Sequence, residues 1–163
     1  MPSQPLIRLD QFDNGGFDRG ANRLTELVWM LVKSFCFQLH FPLPSALRRW
    51  LLRCFGAKVG TGVVIRSGVN ITYPWRLTIG DHCWIGEDVT ILSLAQVSIG
   101  DHCCLSQRAF LCTGSHDFNK ASFELITKPI TIEPHCWVAT GAFIAPGTTV
   151  EQGTMVKAYE VRS

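Results

Sequence analysis

The chain has little net charge, no paired cysteine spacing, no charged and apolar leader, and no long unbroken apolar run. A net charge of +2 is too small for a nucleic-acid footprint or a strongly acidic partner. Cysteine occurs seven times, an odd number without the spacing of a zinc or redox motif. That argues against a disulfide framework and for a reducing, cytosolic setting. The opening stretch "MPSQPLIRLDQFDNGG" has neither the basic start nor the apolar centre of a secretory leader. The most apolar run, Leu27 to Phe41, is interrupted by Lys33, Ser34 and Gln38. It is shorter than the roughly 20 residues a spanning helix needs, so no transmembrane segment is expected. With 163 residues, one domain with a sizeable core fits best.

What is present is a count in sixes. Aliphatic residues recur at Val59, Ile65 and Ile71, then after a two-residue slip at Ile79, Ile85 and Ile91. A second slip of two leads to Ile99, Leu105 and Leu111. After a polar stretch the count resumes at Ile132, Val138, Ile144, Val150 and Val156. A period of six fits neither a helix nor an alternating strand, and reads as a repeat. The physical solution is a three-faced coil with one hexapeptide per face, whose inward aliphatics stack about 4.7–4.9 Å apart. Four residues after each aliphatic a second inward slot is expected, filled by small or β-branched residues such as Val63, Val69, Cys83, Val89, Ala95, Cys103, Ala109, Ser115, Cys136, Ala142, Thr148 and Thr154, with Trp75 the exception. Gly60, Gly80, Gly86, Gly100, Gly141 and Gly147 are expected to serve turns that need positive φ.

Residues 21–55 read as helical, with Leu24, Val28, Leu31 and Phe35 on one face and Pro42 and Pro44 ending the run. A short second helix follows, "SALRRWLLRCF", with Ser45 as N-cap and Leu47, Trp50, Leu51 and Cys54 as its apolar stripe. Arg48, Arg49 and Arg53 lie elsewhere on it. These helices either cap the open end of the coil, covering its strand edges, or dock on a membrane surface through an aromatic face flanked by arginines. The two are compatible. Residues 1–58 thus form an arm and helical cap, and residues 59–163 the coil, with a protruding loop at 117–131.

The repeat from Val59 to Val156 resembles the hexapeptide-repeat proteins, which implies a left-handed parallel β-helix, an all-β solenoid. The strings "FDNGGFDRGANR", "YPWRLTIGDHCWIGEDV" and "SQRAFLCTGSHDF" narrow the resemblance to exopolysaccharide sugar O-acetyltransferases of the colanic-acid type. That implies an all-β acyltransferase using acetyl-CoA, with a sugar or lipid-linked saccharide as acceptor. It also implies a cytoplasmic homotrimer, with peripheral membrane contact available to the N-terminal helices.

Among five histidines, His82, His102 and His135 fall at the same turn position of "IGDHCW", "IGDHCC" and "IEPHCW" and should form an exposed column. The neighbouring cysteines occupy inward slots, since adjacent extended residues point to opposite sides, so no metal site is expected. His40 reads as a packing residue among aromatics. His116 closes the third coil where the count stops, and the following excursion is the natural way to build a wall beside a flat coil. It reads either as a solvated surface histidine or as part of a cleft. In the resembling enzymes the catalytic base is a histidine just before the protruding loop, which implies that role for His116.

An imidazole titrates near neutrality and can take the acceptor's hydroxyl proton during attack on a thioester. The oxyanion that forms needs a donor, either a backbone N–H or the Ser115 hydroxyl. Asp117 either orients His116 or begins the loop; Glu87 and Asp88 either bind sugar hydroxyls or solvate a turn. The resemblance also implies that Trp137, Thr140 and Ala158 line the pantetheine arm of acetyl-CoA, in a groove between neighbouring subunits. From the pattern alone, Trp137 should point outward to a subunit or ligand.

Two departures qualify this. Gly86 and Leu94 stand where the galactoside and maltose branch carries an asparagine and an aspartate that touch the acceptor, implying a different acceptor. The ending "VKAYEVRS" is shorter than the family's, implying a trimmed cofactor site or a shortened form. Acetylation of serine or an amino sugar, a metal-dependent lyase of the γ-carbonic-anhydrase kind, and a non-catalytic scaffold are the other readings of such a coil.

Overall fold

The computed structural model describes residues 6–14, 16–40 and 42–163. Phe41, the end of the apolar run, and the first five residues lie outside the described residues. The six-residue period becomes a parallel β-helix of five coils with three faces. The first face stacks Lys58–Val59, Leu77–Ile79, Val97–Ile99, Ile130–Ile132 and Thr149–Val150. The second stacks Val64–Ile65, Trp84–Ile85, Cys104–Leu105, Trp137–Val138 and Met155–Val156. The third stacks Asn70–Ile71, Thr90–Leu92, Phe110–Cys112, Phe143–Ile144 and Val161–Arg162.

Pairing is parallel and in register, so Ile79, Ile99, Ile132 and Val150 form one interior ladder. Every aliphatic of the repeat is buried, none more than 8% exposed. Each such burial contributes about 1.5–3 kcal/mol, which is what holds strands of two or three residues in place.

Two details of the expected interior change. Ala95 is only half-buried and Ser115 is exposed. The two-residue slips move the inward slot to Leu77, Val97 and Ile130, each at most 1% exposed. At that corner the buried hydroxyls of Ser93 and Thr113 satisfy backbone groups of adjacent coils, Ser93 bonding Tyr73 N–H and C=O, and Thr113 bonding Leu92 C=O and Ala95 N–H.

The glycines also act differently. Gly141 and Gly147 have positive φ, but Gly60, Gly80, Gly86 and Gly100 do not. Those four sit where coils touch: a Cβ on Gly100 would lie 2.6 Å from the Pro134 nitrogen. The left-handed turn positions are instead held by His82, His102 and His135, with φ of 55°, 56° and 63°. Their rings stack along one corner, 5.3 and 5.2 Å between centroids, as the expected column. Behind them Cys83, Cys103 and Cys136 point inward and donate to the carbonyls of Gly100, Glu133 and Glu151. Burial pushes the Cys136 thiol up.

Helix α1 (Arg23–Lys33) is capped by the Asn22 side chain, which accepts from Thr25 N–H at 2.8 Å. It runs on through a π turn at Ser34–Gln38, and α2 spans Ser45–Cys54. Ser45 is not a side-chain N-cap; its hydroxyl donates to Ile65 C=O and accepts from Ile65 N–H.

The apolar stripes read from the sequence point mostly outward, although Leu51 packs in part against the core. Trp29, Phe37 and Leu52 join the buried cluster of the coil, while Leu24, Val28, Leu31, Phe35 and Trp50 are exposed. Arg48, by contrast, is 3% exposed. The reason is the chemistry of an open solenoid end, which presents unpaired carbonyls. Arg48 donates to Ile65 C=O and to the cap's own Cys36 and Leu43 carbonyls. Arg49 donates to Val63 C=O, and Arg53 to Val59 and Gly60. Trp29 Nε1–H adds a bond to Ile71 C=O at 3.1 Å. The helices therefore close the end of the coil, with arginines rather than leucines facing it.

Candidate active site

After Cys112 the chain leaves the third face and forms an antiparallel hairpin, Gly114–His116 against Leu125–Thr127. The excursion thus has other bounds than a 117–131 loop: it leaves the coil after Cys112, its open tip is 117–124, and the coil is rejoined at Ile130, which pairs with Val97. The tip is folded on itself. Asp117 N–H donates to Glu124 C=O at 2.9 Å, and the Asp117 carboxylate accepts from Asn119 N–H at 3.0 Å. Lys120 and Glu124 form an ion pair at 2.7 Å, and Ser122 donates to the same carboxylate. The ammonium and the hydroxyl hold the Glu124 carboxyl below its ordinary range.

His116 is half-buried at the base of this tip. Its Nδ1 lies 2.9 Å from the Phe123 carbonyl oxygen. A carbonyl only accepts, so Nδ1 carries the proton of the neutral ring and Nε2 keeps its lone pair. The Phe123 ring stacks on the imidazole, with centroids 4.2 Å apart and planes 3° from parallel. Phe123 holds this arrangement at φ +47°, a costly value for a residue with a bulky side chain. Phe12, from the N-terminal arm, approaches the same imidazole at 5.7 Å and 59°. The arm is tied to the tip by Arg8 N–H donating to Ala121 C=O at 2.9 Å. Neither phenylalanine is marked by the repeat; the positive φ at Phe123 belongs to a tight turn that sequence spacing does not reveal.

The other expected site residues divide between locations. Asp117 begins the tip and does not orient His116, a task taken by Phe123. Ser115 is exposed and, as the strand neighbour of His116, emerges on the opposite side of the hairpin, so its hydroxyl is not directed at the same reacting atom. Glu87 and Asp88 stand at the corner between the second and third faces, across the third face from the hairpin. There Glu87 pairs with Arg66 at 2.6 Å, which holds its carboxyl below the usual range. Asp88 pairs with His40 at 3.1 Å. His40 is accordingly not a packing residue; its side chain is 67% exposed.

Trp137, Thr140 and Ala158 belong to the second face and that same corner. Trp137 is outward as expected, 49% exposed, with Nε1–H donating to Ser106 Oγ at 2.9 Å. Thr140 faces Gln107 in the coil below, 3.4 Å between side-chain oxygens, and Ala158 is exposed one coil above. Among the described residues no group of three or more histidine, cysteine, aspartate or glutamate side chains is arranged to hold a metal ion.

No protein-family model matches the chain. It is 46% identical over 143 residues to colanic acid biosynthesis acetyltransferase WcaF of Escherichia coli strain K12, covering 86% of this chain and 77% of the relative. It is 32% identical over 114 residues to Nodulation protein L of Rhizobium leguminosarum bv. viciae, covering 66% of this chain and 59% of that one. Among solved structures, a hexapeptide-repeat acetyltransferase of Vibrio cholerae O1 biovar eltor complexed with acetyl coenzyme A superposes with a TM-score of 0.77 at 25% identity, covering 94% of this chain and 85% of that one. A galactoside acetyltransferase in complex with coenzyme A shares the fold, with a TM-score of 0.73 at 22% identity over 83% of this chain and 68% of that one. The six-residue coil, the hairpin that interrupts it and this degree of identity lead to one conclusion: the chain belongs to the hexapeptide-repeat acetyltransferases, in the family of the colanic acid biosynthesis acetyltransferase.

Proposed function

We propose that this enzyme transfers the acetyl group of acetyl-CoA to a hydroxyl of a sugar in an exopolysaccharide precursor, with His116 as general base. The observation that carries the reading is the Nδ1 contact to Phe123 C=O, which leaves the Nε2 lone pair free to accept a proton. In the step, Nε2 takes the acceptor's hydroxyl proton as its oxygen attacks the thioester carbonyl. A C–O bond forms and the carbonyl pair moves onto oxygen. Collapse of that intermediate breaks the C–S bond, and the departing sulfur takes the proton back from the imidazolium. No acyl-enzyme and no metal take part in this sequence.

The acetyl-CoA complex of the Vibrio cholerae relative supports the donor, and the colanic acid biosynthesis name of the Escherichia coli relative supports the exopolysaccharide role. For the donor we assign Trp137, Thr140 and Ala158 to the pantetheine arm. They lie across the third face from His116 of the same chain, so a cofactor bound there serves His116 of a neighbouring copy. A homotrimer meets this requirement.

The acceptor in this reading is carried on a lipid, and the enzyme works in the cytoplasm at a membrane surface. Support comes from the outer side of the cap, where Leu24, Leu27, Leu31, Phe35 and Trp50 are each more than half exposed. Residues 27–80 also contain no aspartate or glutamate, so no carboxylate of this segment opposes an anionic lipid surface.

Calorimetric titration with acetyl-CoA tests the donor without an acceptor in hand. Saturable binding near one site per chain is expected, and absence of binding at high micromolar concentration would overturn the proposal.

A further inference from the structure

The N-terminal arm is bound along one corner of the coil at both of its ends, yet it buries almost nothing. None of residues 6–14 is buried, and Leu6, Leu9 and Phe12 are 87%, 69% and 46% exposed. At its far end Trp75 Nε1–H donates to Arg19 C=O at 2.7 Å, Arg76 donates to Asp18 C=O, and Phe17 stacks on Tyr73. At its near end Arg8 N–H holds the hairpin tip through Ala121 C=O. Hydrophobic burial does not explain why the arm passes over the hairpin. What it delivers there is one aromatic ring against His116.

We infer that the N-terminal arm is part of the active site and that Phe12 is a positioning residue for the His116 imidazole. The inference rests on His116 being the base. Phe123 governs one face of the ring by stacking and fixes Nδ1 through its carbonyl. Those contacts come from one residue on a tip that is attached through the hairpin and the Arg8–Ala121 bond, neither of which touches the imidazole, so the stacked ring remains free to slide. Phe12, tilted 59° to the imidazole, blocks that motion from a different side and displaces water from it. A base held on two sides needs less reordering to reach the attacking geometry, and misplacement by an ångström costs up to about a hundredfold in rate.

The test uses the full-length protein with Phe12→Ala, Phe12→Tyr and His116→Ala. Diethyl pyrocarbonate modifies accessible imidazole nitrogen, and peptide mass spectrometry reads each histidine separately, with His82 as the internal standard. Phe12→Ala is expected to raise the modification rate of His116 about fivefold relative to His82, while Phe12→Tyr stays near wild type. Acetyl transfer is followed by thiol release, using the p-nitrophenyl glycoside that wild type acetylates fastest. There kcat falls about tenfold in Phe12→Ala, KM for acetyl-CoA is unchanged, and Phe12→Tyr recovers most of the loss.

An unchanged modification rate in Phe12→Ala overturns the contact, and an unchanged kcat overturns the positioning role. If His116→Ala itself keeps full turnover, the base assignment fails, and the modification data still report separately on whether Phe12 covers the ring.

Discussion

The imidazole of His116 lies on the ring of Phe123, with centroids 4.2 Å apart and planes 3° from parallel, while the carbonyl of that same phenylalanine accepts from its Nδ1. One residue thus sets both the plane and the tautomer of the histidine. The consequence is an imidazole whose open nitrogen is decided by the backbone of a hairpin tip, while the Asp117 carboxylate is engaged by Asn119 N–H instead.

The tip itself responds to acid. Lys120 and Ser122 keep the Glu124 carboxyl below its ordinary value of 4.5, so the folded tip favours the carboxylate. A depressed folded pKa contributes stability that is complete above about pH 4.5 and is lost as pH falls through the lower folded value. Protection factors for the amides of Asp117 and Phe123 should therefore drop below that pH in wild type. In Glu124→Gln they should be lower at neutral pH and lack this acid step. Equal profiles for the two proteins would contradict the assignment.

Closure of the coil depends on Arg48 more than on the exposed apolar residues of its helix. Arg48→Met leaves the Ile65, Cys36 and Leu43 carbonyls short of donors in a place water reaches poorly. A loss of about 3 kcal/mol is expected, roughly 6–12 °C in Tm for a chain of this size. Trp50→Ser, on the exposed side of the same helix, should melt within about 1 °C of wild type. Calorimetric melting of both variants checks the contrast, which would fail if Trp50→Ser were the more damaging.

The coil was legible because a six-residue period is indifferent to its surroundings: wherever the three-faced stack forms, Ile85 and Leu105 must point inward. The corner slots at Ala95 and Ser115 were not, since two inserted residues shift the phase and transfer burial to Val97 and Ile130. Helical periodicity misled for a different reason. It assumes that a helix packs its apolar stripe on an apolar surface, whereas the end of a β-helix offers carbonyls, so Arg48 goes in and Leu31 stays out. His116 stood out by ending the count. Phe123 and Phe12 carry no such mark, because one acts through a turn conformation and the other across more than a hundred residues of sequence.

The exposed apolar side of the cap makes a membrane prediction that needs no substrate. The protein should sediment with vesicles containing 30% phosphatidylglycerol and much less with pure phosphatidylcholine. Leu31→Glu combined with Phe35→Glu should abolish sedimentation while the melting temperature is kept. Protein that remains in solution with both vesicle types would contradict membrane contact. Dissociation of the oligomer by the same pair of substitutions, read by light scattering, would show that this face belongs to a second copy.

The most direct measurement is steady-state acetyl transfer by His116→Ala beside wild type, with calorimetric affinity for acetyl-CoA determined on the same samples. Turnover should fall by about 10²- to 10⁴-fold while acetyl-CoA affinity stays within about twofold. Undiminished turnover in His116→Ala would contradict the central claim.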